Sequence, residues 1–313
     1  MSRIPLILLI FIPYWLAAQV TDSIASRVVL DTEVVVAAKK GFDIKKFIEI
    51  VQADSVFAQA FHRLRSVPYQ SSNEFHFFSR KGREVAGYKS EIIQKKVDSL
   101  CMVMTILSEK ATGNYYKRKG KHRYYTAKMF ERLFYKKGKH CPKPKPVTPP
   151  QHTRMENYVQ QLKKLIYNPG KEVKIPLIGH KTAIFDEKMI KYYDFKIQSR
   201  RYKDETPCYV FTAIAKPNRP NKTVIKYLEM WLDKAELGII SKKYHLKTTN
   251  LAFNFDIKMD VDLIETPLGI LPSKIDYDGS WKAPMKRKEI SKFLLLFNFD
   301  SGAILEPKLK SDN

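Results

Sequence analysis

Two hydrophobic periods divide this chain. From Asp43 onward, apolar residues at Phe47, Ile48, Val51, Phe57 and Phe61 recur every three or four positions with charges between them, the spacing of one or two amphipathic helices. The period then drops to two. In "SNEFHFFSRKGREVAGYKSEIIQKK" Phe75 and Phe77 alternate with polar neighbours, "RKG" turns, and a second alternating run follows, which predicts a hairpin. "LCMVMTILSE" and "NYYKRKGKHRYYTA" extend that predicted sheet, with Gly120 at a further tight turn, and "KMFERLFYKK" reads as a short amphipathic helix. Five prolines in the fifteen residues of "GKHCPKPKPVTPPQH" then make an extended, semi-rigid connector. Beyond it "MENYVQQLKKLIYNPG" resumes as a helix ended by Pro169 and Gly170.

After Tyr192 the reading is almost entirely strand. Seven runs ("YYDFKIQS", "CYVFTAIA", "VIKYLEMWLD", "GIISKKYHL", "LAFNFDIKMDVDLI", "GILPSKIDYDG" and "KFLLLFNFD") are separated by Pro217, Pro220, Gly238, Asn250, Gly269 and Gly279. With no crossover helix among them they predict an antiparallel meander. The cleanest strand spans 253–263, where Phe253, Phe255, Ile257, Met259, Val261 and Leu263 point one way. Asn254, Asp256, Lys258, Asp260 and Asp262 point the other way, so one sheet face meets water and its opposite covers something apolar. "VIKYLEMWLD" is apolar on both sides, with Val224, Leu228, Met230 and Leu232 on one and Ile225, Tyr227 and Trp231 on the other. A sheet with helices in its concavity accounts for this, and so does a sheet curled around an apolar cavity. The expected class is α+β, a curved antiparallel sheet (an unclosed β-barrel) lidded by helices.

The N-terminus changes the picture of where the chain works. Arg3 is the only charge in the first eighteen residues, and Ile4 to Leu16 is an apolar run ending at Ala17 and Ala18. That is the pattern of a secretory signal peptide over 1–18, with the mature chain starting near Gln19; the run is short for a bilayer span and is interrupted by Pro5 and Pro13. A membrane anchor is the competing reading. "VVLDTEVVVAAKKG" follows as a short edge strand or extended leader over 19–42. One half-barrel is expected over 43–300, interrupted at about 108–152 by the basic insert and the connector, with a tail at 301–313. Export places the protein in the periplasm or outside the cell.

Charge narrows the partners. Fifty-six Lys and Arg against 32 Asp and Glu give a net +24, which draws the protein to anionic material. Export disfavours nucleic acid and favours envelope components, an anionic membrane surface among them. The excess is concentrated between Ser108 and Pro146, where ten Lys and three Arg face only Glu109 and Glu131. There Lys117, Arg118, Lys119, Lys121 and Arg123 interleave with Tyr115, Tyr116, Tyr124 and Tyr125, a pattern suited to an anionic lipid interface. The plainer alternative is a solvated basic hairpin whose tyrosines pack on the sheet below.

Cysteine and histidine add little chemistry. Cys208 lies in a strand-like run and reads as a buried thiol, which leaves Cys101–Cys141 as the expected disulfide in an oxidising compartment; three unpaired thiols are the alternative. The seven histidines form no HxH or HxxxH pair and there is no CxxC, so neither a metal nor a cofactor is expected. GxSxG, HExxH and Gly-rich phosphate loops are all missing from the sequence. His180 and Asp186 are the nearest approach to an acid–base pair, and the expectation is a protein without enzymatic activity.

The order of elements resembles the periplasmic lipoprotein-carrier superfamily (LolA/LolB-like). The local likeness lies in "MWLDKAELGIISKKYHL", a strand ending in Trp231-Leu232-Asp233 that turns into a basic returning strand, and in "GILPSKIDYDG". As an order of elements it covers Ile44–Phe299, and residue by residue about Tyr192–Phe299. The Pro-rich connector, the basic insert and the cysteine pair depart from the simple carrier pattern. The whole chain is also similar to a family of secreted proteins of Gram-negative envelopes, which implies location and architecture. The carrier resemblance implies a helix-lidded half-barrel that holds acyl chains in an apolar concavity. Phe253, Phe255, Ile257, Met259, Phe293, Leu295 and Phe297 would line it, and a monomer that binds a lipid or acylated protein is the expected form. A core filled by the helices, with a surface that recognises another envelope protein, is the competing expectation.

Overall fold

A computed structural model describes residues 21–98, 101–134, 137–141, 161, 163–249, 254–282 and 287–299. The expected signal peptide, most of the Pro-rich connector and the tail lie outside the described residues. The described strands form one sheet of twelve. In chain order they are β1 (Val28–Leu30), β2 (Tyr69–Phe78), β3 (Glu84–Lys96), β4 (Met102–Gly113), β5 (Gly138–His140), β6 (Tyr193–Tyr202), β7 (Thr206–Ala215), β8 (Ile225–Asp233), β9 (Ile239–Thr249), β10 (Asn254–Thr266), β11 (Gly269–Lys282) and β12 (Glu289–Asn298). The sheet order is β1-β6-β7-β8-β9-β10-β11-β12-β2-β3-β4-β5. The seven strands expected after Tyr192 therefore run as a meander. Its last strand pairs with the first long one, Phe293 opposite Phe75 and Leu295 opposite Asn73, so the segments on either side of the Pro-rich connector share one sheet.

The sheet stays open, with β1 and β5 at its two edges. Five register shifts, at Phe77/Phe78, Glu91/Ile92, Ile225/Tyr227, Trp231/Leu232 and Asp262/Leu263, add the bends that curve it. On the convex face, charges oppose one another across neighbouring strands. Lys89 faces Glu74 at 2.7 Å, Lys247 faces Asp256 at 2.7 Å, Lys292 faces Asp278 at 2.8 Å and Lys243 faces Asp260 at 3.4 Å. Cross-strand pairs of this kind each add a few tenths of a kcal/mol and fix register. Asp262, read from the alternation as water-facing, is instead buried, held by Lys203 at 3.1 Å and by the Ser241 hydroxyl at 3.2 Å. The second apolar face of β8 also finds its explanation here. Tyr227 and Trp231 stand outside and donate to the carboxylate of Glu229, which is itself buried between them.

Helices occupy the concave side. The leader segment makes both an edge strand and a helix: β1 runs parallel to β6, and α1 (Thr32–Lys39) follows at once. Asp31 decides this, because its carboxylate accepts from Val34 N at 3.0 Å and caps a run whose valines alone would suggest strand. The amphipathic stretch after Asp43 splits into α2 (Ile44–Ala53), capped by Asp43, and α3 (Val56–Arg63), whose first N–H is accepted by the Asp54 carboxylate at 2.9 Å. Phe47, Ile48 and Val51 of α2 and Phe57, Ala60 and Phe61 of α3 are buried in one continuous core with the concave wall. Residues 163–167 form a further helical turn, where Tyr167 stacks on Phe61 at 4.6 Å. A fourth helix, α4 (Tyr125–Phe134), lies over β12 and β2, and the short α5 (Glu187–Ile190) leads into β6. Among the described residues no helix is long and apolar enough to cross a membrane.

Candidate functional site

The strand register gathers most of the expected concave residues. Met259, Tyr277, Phe293 and Phe75 stand in one row across β10, β11, β12 and β2; Ile257, Gly279, Ser291 and Phe77 form the next. Phe255 lies opposite Trp281, Leu295 is enclosed between Ile275 and Asn73, and Phe297 packs edge-on against Tyr69. Phe253 lies outside the described residues. Tyr277 stacks flat on Phe293 at 4.5 Å and leans over Gly279, where an added Cβ would sit 2.4 Å from the phenol oxygen. Glycine is thus required for close approach, and that position shapes the wall. Phe130 of α4 reaches down to Phe75 at 4.4 Å and covers this row. The wall belongs to the same packed cluster as the helices, with Ile257 half-buried at its margin.

The basic segment takes a different form from the strand expected of it. After β4, residues 114–124 make a tight loop closed by a single bridge between Tyr116 and His122, with Lys119 and Gly120 both at a φ of 66°. Lys117 N donates to Lys121 O at 2.7 Å and Arg123 N to Tyr115 O at 3.0 Å, which leaves five cations on a turn too short to join the sheet. Lys117, Arg118, Lys119, Lys121 and Arg123 are all exposed. Their aromatic neighbours turn inward: Tyr115 is buried and stacks on Tyr88 at 4.7 Å, and Tyr124 stacks on Phe77 at 3.9 Å. Burial pushes the Tyr115 phenol far above its ordinary value. These tyrosines serve as packing anchors for the loop.

Lys117 and Arg123, but not the other three, line a cleft of about 890 Å³ at the rim of the sheet. Arg80 from the β2–β3 turn, Lys128 from α4, and Arg287 and Lys288 before β12 join them, and Phe78, Tyr124, Trp281 and Ile290 also line the cleft. Its carboxylate, Glu289, is already engaged. It accepts from Tyr125 N at 2.7 Å, Thr126 N at 3.1 Å and the Thr126 hydroxyl at 3.2 Å, and so caps α4. Trp281 Nε1 donates to the same hydroxyl at 3.0 Å, locking the indole beside the helix start.

The chain is similar to solved LolA-like proteins. A LolA superfamily protein from Nitrosomonas europaea matches at 9% identity over 77% of this chain and 90% of that one, with a TM-score of 0.23. A putative outer membrane lipoprotein-sorting protein domain from Vibrio parahaemolyticus matches at 10% identity over 79% and 92%, TM-score 0.24. A DUF1329 family protein from Desulfovibrio piger ATCC 29098 matches at 10% identity over 79% and 91%, TM-score 0.23. At these scores the likenesses carry no argument of their own, and the fold class rests on the open twelve-stranded order. No protein-family model matches the chain, nor does any curated protein.

The local motif behind the sequence resemblance has a structural role. Asp233 folds the β8–β9 turn by accepting from Ala235 N at 2.9 Å, Glu236 N at 2.8 Å and Gly238 N at 3.0 Å. Cys101 and Cys141 form a disulfide that ties the start of β4 to the end of β5, while Cys208 is a buried free thiol whose pKa burial raises. Asp186 caps α5 through Lys188 N at 2.8 Å, and His180 is exposed on a neighbouring 3-10 turn; no hydrogen bond joins them among the described residues. Among the described residues no cluster of His, Cys, Asp and Glu could hold a metal ion. Sequence reasoning missed Arg80, Lys128, Arg287 and Lys288 as partners of the basic loop. Arg80 leaves its trace in the short basic run "SRKGR" and Arg287 and Lys288 in "MKRKE", which no local pattern links to each other or to Lys128.

Proposed function

We propose that this is an exported, non-enzymatic protein of the cell envelope that binds a lipid or acylated protein against its concave wall and docks on an anionic surface. One observation carries the reading. Phe255, Met259, Tyr277 and Phe293 retain 5–7% exposure across β10, β11 and β12, whereas Val261, Ile275 and Leu295 in the next row are fully enclosed. These residues are aromatic except for Met259, they lie on the concave face, and the cover over their centre is α4, a separate helix anchored by its Glu289 cap and Phe130. An acyl chain would enter where α4 lifts from this wall and would replace aromatic contacts with equally apolar ones.

A second reading draws on the packing. The wall and the helices already form one core, which suits a module that recognises another envelope protein through its surface. Native mass spectrometry of the purified chain, followed by organic extraction, separates the two. Near-stoichiometric acyl species that disappear in Phe293→Asp or Phe255→Asp support the lipid reading. A clean apo mass together with no uptake of an added fluorescent fatty acid overturns it in favour of the interaction module.

A further inference from the structure

The convex face and the rim cleft handle positive charge in opposite ways. On the convex face, Lys89, Lys243, Lys247 and Lys292 each meet a carboxylate across a strand. In the cleft, Arg80, Lys117, Arg123, Lys128, Arg287 and Lys288 make no ion pair and no side-chain hydrogen bond among the described residues. Glu289, which could have answered them, is spent on the first N–H groups of α4. Six cations converge from four separate segments: the β2–β3 turn, the basic loop, α4 and the approach to β12. Mutual repulsion opposes such convergence in the free protein, and a bound anion relieves it. Three of the six are arginines, whose planar forks match phosphate oxygens.

The apolar part of the lining bears on the rest of the ligand. Phe78, Trp281 and Ile290 line the cleft together with the cations. Trp281 stands directly opposite Phe255 in the register and two positions from Gly279, so one lining residue of the cleft adjoins the edge of the concave wall. We infer that this cleft is a headgroup site for a phosphate-bearing lipid, with the phosphate held among Arg80, Arg123 and Arg287 and the acyl chain leaving past Trp281 toward Phe255. The volume of about 890 Å³ lies within the range of about 300–1,000 Å³ that small-ligand sites occupy. This rests on the lipid reading above and adds to it a place for the polar end and a sign for its charge.

The test uses the purified chain, with dihexanoyl phosphatidic acid below its micellar concentration, dihexanoyl phosphatidylcholine and inorganic phosphate as probes in calorimetry. Arg80→Gln/Arg123→Gln/Arg287→Gln removes three cleft cations, and Lys89→Gln/Lys247→Gln/Lys292→Gln removes three from the convex face as a matched control. Each cation near an anionic lipid contributes a factor of about five, so the cleft variant weakens phosphatidic acid about a hundredfold. The control variant stays within about threefold because screened, already paired cations add little. Equal weakening by both variants overturns the site, since general charge then accounts for binding. Inorganic phosphate that binds as tightly as phosphatidic acid overturns the lipid assignment. Unchanged phosphatidic acid binding in the cleft variant removes the headgroup site while sparing the acyl reading; a wild-type chain that takes up phosphate but neither lipid removes the acyl reading itself.

Discussion

The ion pair between Asp54 and Lys242 ties the helical layer to the sheet, and its removal has a calculable cost. Lys242 points from β9 into the concave interior, where its ammonium lies 2.6 Å from the Asp54 carboxylate and 4.4 Å from the ring centre of Phe57. Both side chains are shut away from water. Asp54 has a second duty, accepting from Val56 N at 2.9 Å and Phe57 N at 3.4 Å at the start of α3. Asp54→Ala therefore strands a buried ammonium and takes the side-chain acceptor from the start of α3. Removing one partner of a buried pair costs about 3–5 kcal/mol, and the hydrogen bonds lost at the start of α3 add about 1 kcal/mol. Lys242→Met costs less, because the remaining carboxylate keeps its two backbone donors and the thioether fills the vacated volume. In Asp54→Asn/Lys242→Met that acceptor survives and no charge is buried, so the double variant returns to within about 1 kcal/mol of wild type. Urea unfolding followed by circular dichroism reads all three through the transition midpoint. Burial holds the Lys242 ammonium below its ordinary 10.5, so the unfolded chain binds more protons over that interval and stability rises with pH toward 10.5. Without the opposing carboxylate the dependence steepens in Asp54→Ala. A cost below about 1 kcal/mol for Asp54→Ala, or a double variant as unstable as that single one, would refute this reasoning.

Three further outcomes are expected. Cys101 and Cys141 are 40 positions apart, and reducing their bond lowers stability by about 4 kcal/mol on the loop-entropy model, visible as a lower melting temperature with dithiothreitol; an unchanged melt removes that contribution. Gly279→Ala pushes a methyl to 2.4 Å from the Tyr277 phenol, breaks its stack on Phe293 and costs about 1–3 kcal/mol, and the prediction fails if near-ultraviolet circular dichroism and stability are unaltered. Burial pulls His76 down, but hydrogen bonds to Glu84 and Glu74 outweigh it and raise its pKa above the ordinary 6.5. Its stabilising contribution is complete below pH 6.5 and fades as pH rises through the raised value, whereas burial lowers His62 and His122 below 6.5; an NMR titration that placed His76 below those two would contradict the assignment.

The sequence alone determined most of the elements. Strict alternation at 254–263 and the evenly spaced turn residues produce the antiparallel meander, because a period of two leaves only one way to put Phe255, Met259 and Val261 on a single face. The helical spacing of Phe47, Ile48, Val51, Phe57 and Phe61 likewise commits α2 and α3 to the concave core. Local patterns misled where a single contact outranked them: the Asp31 cap turned a valine run into α1, and the bridge at Tyr116 and His122 folded a would-be strand into a loop. Only the tertiary structure decided the rest. Pairing of β12 with β2 across more than two hundred residues made one sheet from both sides of the Pro-rich connector, and it brought Arg287 and Lys288 beside Arg80 and Arg123. It also chose which acids face which bases, placing Asp54 against Lys242 in the core while Glu289 went to α4. Charge counts report that cations exceed anions in this chain; where the unpaired ones converge follows from strand register, which depends on contacts between residues far apart in sequence.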